Sequence, residues 1–106
     1  MVRYEFKREE RLGIPLPFLY LEWEEYNPFE RADILIKWEE IRSRIPDRVI
    51  ALEAVINQKQ AELYQEDNFE RSCELNSEIA ELASTINDLN IWFRVQQDFE
   101  STEIHR

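Results

Sequence analysis

Between residues 75 and 93 the apolar side chains return at alternating intervals of four and three: Leu75, Ile79, Leu82, Ile86, Leu89 and Phe93. A strand repeats every two residues, so this pattern commits the segment to a long helix with a heptad seam. One exposed stripe of this kind must be covered by another element. Upstream, Val49, Leu52, Ile56 and Leu63 fall on one face of a second helix, with Lys59 at the vacant stripe position. Only Glu66, Asp67 and Asn68 separate the two. So short a connection makes the helices antiparallel neighbours.

A further helix is predicted ahead of this hairpin. Asn27 suits an N-cap, Pro28 the first helical position, and Glu30 stands three residues after the cap. Ile34, Trp38, Ile41 and Ile45 then form one stripe. Pro46 interrupts it with a break or a sharp kink, because the residue before a proline is biased away from helical geometry, and Pro46 opens the next helix. Before residue 28 the chain is irregular. "VRYEFK" alternates Val2, Tyr4 and Phe6 with charged residues, which suits a short strand, and Pro15 and Pro17 hold "GIPLPFLYLEW" extended. Phe18, Leu19, Tyr20, Leu21 and Trp23 read as an aromatic arm laid over the helices.

The chain has one Gly, too few for a fold rich in tight turns. The expected fold is therefore all-α: an antiparallel helical hairpin in a three-helix arrangement, with an extended aromatic N-terminal arm and pairing into a helical-bundle dimer as a further expectation. Residues 1–100 form the single helical domain, with the arm at 1–27 and helices at 28–45, 46–65 and 68–99; residues 101–106 are a tail expected to fray.

Charge excludes several classes of partner. The net charge is −10, so phosphate backbones and anionic membranes are repelled. The charge is banded: residues 22–40 hold seven acids and two bases, 41–60 two acids and four bases, and 61–90 eight acids and one base. A hairpin folded at 66–68 brings the basic band against the second acidic one. No apolar run approaches the roughly 20 residues of a membrane span. With a single cysteine and no signal-like start, the chain reads as cytoplasmic.

The last helix has three faces. With about 100° per residue, the seam occupies one, and Glu70, Glu74, Glu78, Glu81 and Asp88 line an acidic edge. The third face holds Phe69, Cys73, Asn76, Ala80, Ala83, Asn87 and Ile91. A hairpin needs only one stripe per helix, so this mild, small-residue face needs a further partner: the N-terminal arm, a second copy or another protein. Phe69, Cys73, Asn76, Ala80, Ala83 and Ile91 are the candidate interaction residues. Trp92, near the acidic edge, is a candidate contact anchor, with packing under the N-terminal arm as its other reading.

The stretch "DNFERSCELNSEI" resembles the UVR motif, the helical hairpin of bacterial excision-repair proteins and some Clp-family chaperones. Asn68, Phe69, Glu70, Arg71, Ser72, Cys73, Leu75 and Ile79 stand at its positions, and "ALEAVINQKQAEL" matches the first helix of such hairpins in style. Ser72 and Cys73 replace the usual alanines, and Asn76 and Ser77 the usual Arg-Asp. The resemblance spans residues 46–83. It implies a module that pairs hairpin to hairpin, and no catalysis.

Chemistry has few candidates. His105 is the only histidine and lies in the tail, so a positioned base for Ser or Cys catalysis is not expected. Single Cys and His residues do not make a zinc site. No glycine-rich phosphate loop is present. The expected role is a non-enzymatic interaction or scaffold protein, without cofactor or small-molecule substrate, that pairs with itself or another helical protein. The alternative is an acidic mimic, resembling antitoxins, that occupies the basic site of a nucleic-acid-binding protein.

Overall fold

The computed structural model describes residues 2–95. The first finding corrects the all-α expectation. Residues 4–19 are not an extended arm but an antiparallel β-hairpin, β1 (Tyr4–Glu9) and β2 (Ile14–Leu19). A short 3-10 turn follows at Trp23–Glu25, then α1 (Pro28–Arg42), α2 (Ile45–Gln65) and α3 (Phe69–Phe93).

The two prolines that suggested an arm are compatible with β2 because of where they stand. The Tyr20 amide donates to the Arg3 carbonyl, which makes Arg3 and Tyr20 a hydrogen-bonded pair. Bonded and non-bonded pairs alternate along an antiparallel ladder. Pro15 opposite Arg8 and Pro17 opposite Phe6 thus both fall at non-bonded positions, their nitrogens turned to the outer edge. The turn closes at Gly13, whose φ is 75° and whose amide donates to the Glu9 carbonyl at 2.8 Å. The chain's single glycine sits where the backbone is left-handed.

The helices are not a three-helix bundle either. α1 and α2 run as one long helix, bent at Ser43–Arg44. Pro46 has no amide to offer the Arg42 carbonyl, so the ladder is interrupted there. Of the two outcomes left open at Pro46, a break or a sharp kink, the structure shows a bend, and Ile45 already belongs to α2. The strong pairings are β1 with β2 and α2 with α3. The molecule is accordingly elongated, about 60 × 28 × 20 Å. α3 is described to Phe93 with Arg94 at its C-cap, and the expected continuation to residue 99 and the tail fall on 96–106, outside the described residues.

Two apolar clusters tie the sheet to the helices. Leu12 and Ile14 are buried with Trp38, Ile41, Ile45, Leu52 and Leu89, so the turn of the β-hairpin joins the core beside the helix bend. Trp23, Tyr26 and Ile34 form the second cluster, with Tyr4, Phe6, Leu19 and Leu21 packed against it. The buried Tyr26 hydroxyl donates to the Arg3 carbonyl at 2.7 Å and accepts from the Leu21 amide, so it joins β1 to the strand exit. The α1 start forms as its cap predicts, and α3 has a side-chain cap at Asn68. The Asn27 side chain accepts from the Glu30 amide while Glu30 accepts from the Asn27 amide, and Asn68 accepts from the Arg71 amide.

Candidate interaction surface

The α2–α3 hairpin is closed on its seam by Leu52, Leu75 and Leu89, all buried. Lys59, at the gap in the α2 stripe, reaches across to Glu78 at 2.8 Å. The two remaining sides of the hairpin differ sharply.

One side carries charge, and that charge is used within the chain. Arg11, at the tip of the β-hairpin, spans three groups on α3: Glu81 at 2.7 Å, Ser84 at 2.9 Å and Asp88 at 2.7 Å. Positions 81, 84 and 88 share one helical face, so a single guanidinium can hold all three. Arg71 contacts Glu62, Glu74 and Glu78. Lys59 and Arg71 together hold the Glu78 carboxyl below its usual range, the Lys59 hydrogen bond being the larger cause. Four of the five acids read as a free edge (Glu74, Glu78, Glu81 and Asp88) are ion-paired. The signal for this was invisible locally, because Arg11 is 70 positions from Glu81.

The other side is exposed. Phe69, Cys73, Asn76, Ala80, Ala83 and Ile91 all lie on it and all face solvent, Phe69 at 80% and Ile91 at 49% exposure. The structure thus brings these six onto one surface. Trp92 does not belong there. It is half-buried, packed against the core cluster that holds Leu12, Ile14 and Trp38, and meets the Trp38 ring edge-on with centroids 5.7 Å apart. Beside it, Arg42 stacks on the Phe93 ring and donates to the Phe93 carbonyl at 2.6 Å.

Sequence reasoning on α3 alone missed the contribution of α2. In an antiparallel hairpin the matching side of α2 presents Pro46, Ile50, Glu53, Asn57, Gln60 and Tyr64. Ile50 is 63% and Tyr64 92% exposed. The two helices enclose a trough of about 550 Å³, lined by Glu53, Ile56, Asn57, Gln60, Ala83 and Ile86. Toward the bend it continues into a more apolar groove of about 290 Å³, lined by Ile45, Pro46, Val49, Ile50, Asn90 and Phe93. At the opposite end, Tyr64 and Phe69 flank the α2–α3 turn. From Phe69 to Ile91 and from Pro46 to Tyr64 this side carries one charged residue, Glu53, in a chain that is 34% charged.

Among the described residues, no three His, Cys, Asp or Glu side chains converge into a group able to hold a metal ion. His105 lies outside the described residues. No described helix is long and apolar enough to cross a membrane. No protein-family model, curated protein or solved structure matches this chain.

Proposed function

We propose that the protein is a non-enzymatic interaction module whose working surface is the uncharged side of the α2–α3 hairpin. One observation carries this reading: a long helical surface, apolar at both ends and nearly free of charge, that no other described element covers. Contiguous exposed apolar surface rimmed by polar residues marks contact sites. The likeness of residues 46–83 to UVR hairpins points to the same use, pairing with another helical protein. The proposed setting is the cytoplasm. The acidic-mimic alternative draws no support from α3, since four of its five edge carboxylates already have cationic partners within the chain.

The test is a photo-reactive side chain placed at Ala83, on the surface, or at Gln58, exposed on α2 and turned away from the trough. Each protein is irradiated pure and in extract of the cells that make it. Protein adducts from position 83 and none from 58 are expected. Equal labelling from both positions, or no adduct from 83 in either setting, overturns the reading.

A further inference from the structure

We propose that the occupant of this surface is a second copy of the chain, the two hairpins lying face to face and antiparallel, so that Tyr64 and Phe69 of each copy seat in the Pro46–Val49–Phe93 groove of the other. This inference rests on the preceding reading of the surface as a contact site.

The surface is complementary to itself. Its protrusions, two exposed aromatic rings, are at the tip, and its apolar groove is at the base. A two-fold axis through the middle of the hairpin exchanges tip and base, which is what a closed, isologous dimer requires. Ala80 and Ala83 then lie near the axis, where small side chains let helices approach to about 8 Å.

The area is of the right order. At about 1.5 Å per residue the surface runs about 33 Å from Phe69 to Ile91, and two helices make it about 20 Å wide. That projects to about 650 Å², close to the roughly 800 Å² per partner of a stable complex.

Charge selects this surface for self-pairing. Two copies of a chain with net charge −10 repel each other. Here each copy brings only Glu53. The antiparallel arrangement sets the two Glu53 residues about 12 Å apart along the axis, beyond the roughly 8 Å screening length at physiological salt.

The full-length protein is tested in two ways. Light scattering over a concentration series is expected to show a monomer–dimer equilibrium that persists when salt is raised, as an apolar contact should. Ala83→Glu, with helicity confirmed by circular dichroism, is expected to weaken it at least tenfold. A short bismaleimide then reads the orientation through Cys73, the only thiol. Antiparallel pairing places Cys73 level with Asn87 of the other copy, whereas the two Cys73 residues stand about 21 Å apart. Asn87→Cys should therefore give a covalent dimer and the wild-type protein should not. A monomer at every concentration, or wild-type cross-linking as efficient as that of Asn87→Cys, overturns the proposal. A monomer that still gives foreign adducts from position 83 rejects the second copy while leaving the contact surface standing. Absence of those adducts as well rejects both.

Discussion

The Arg11 guanidinium and the Asp88 carboxylate are 77 positions apart in sequence and 2.7 Å apart in space. With Glu81 and Ser84 they clip the tip of the β-hairpin to the outer side of α3. Among the described residues the β-hairpin has no third strand, and an isolated pair of strands is marginally stable in water. Its order depends on this clip, on Leu12 and Ile14 in the core, and on Tyr4, Phe6 and Leu19 packed against the Trp23–Tyr26–Ile34 cluster. Arg11→Ala is expected to speed amide exchange in Tyr4–Glu9 and Ile14–Leu19 several-fold while leaving the α2–α3 amides protected. Hydrogen exchange read by mass spectrometry checks it.

Gly13 is required by both backbone and space. Its φ of 75° is costly for any other residue, and a Cβ there would come within 2.8 Å of the Arg48 Nε. That nitrogen donates to the Leu12 carbonyl at 3.1 Å. Gly13→Ala is expected to destabilise the protein by about 1–2 kcal/mol from the backbone term alone, measured by urea unfolding.

Trp38 is fully buried, and among the described residues its indole nitrogen has no hydrogen-bond partner. Deletion to Ala should cost about 3–5 kcal/mol, enough to unfold a small domain. Trp38→Phe removes the unsatisfied N–H along with part of the ring, so the two effects oppose. A change of no more than about 1.5 kcal/mol is expected by chemical denaturation.

The Tyr4 hydroxyl donates to Asp33 at 2.6 Å, and this bond, with burial, raises its pKa from 10.0 to about 12. The folded value lies above the unfolded one. The resulting stabilisation is complete below about pH 10 and is lost as pH rises through about 12. The difference between tyrosinate titrations of wild type and Tyr4→Phe should show a midpoint near 12.

At the acid end the sign reverses. Hydrogen bonds from the Asn27 amide and Arg3 lower the Glu30 pKa; those from Tyr4 and Lys37 lower that of Asp33. Lys59 and Arg71 do the same for Glu78. These groups stabilise the fold above the unfolded carboxylate range, about pH 4–4.5, and the contribution disappears as pH falls through their lowered values. Urea midpoints should be flat down to about pH 5 and fall below about pH 4. Asp33→Asn should fall less.

What the sequence disclosed was whatever lies within a few turns of one element. The Asn27 cap, the Leu75–Leu89 seam and the small-residue side of α3 follow from local sequence pattern. The β-hairpin did not, because Pro15 and Pro17 weaken any strand signal until their register with Phe6 and Arg8 is known. Nor did the fate of the acidic edge, which depends on Arg11 arriving from the far end of the chain. The Trp38–Trp92 contact likewise requires the bend at Ser43–Arg44, whose depth a single Pro46 does not specify.

The placement of Pro15 and Pro17 has one more effect. A two-stranded sheet has two open flanks, each a template onto which a foreign strand can add. On the β2 flank, both outward nitrogens at the centre of the strand are alkylated and cannot donate. Intermolecular sheet growth, the usual hazard of a small exposed hairpin, is therefore obstructed on that side by the same residues that leave the ladder to β1 intact.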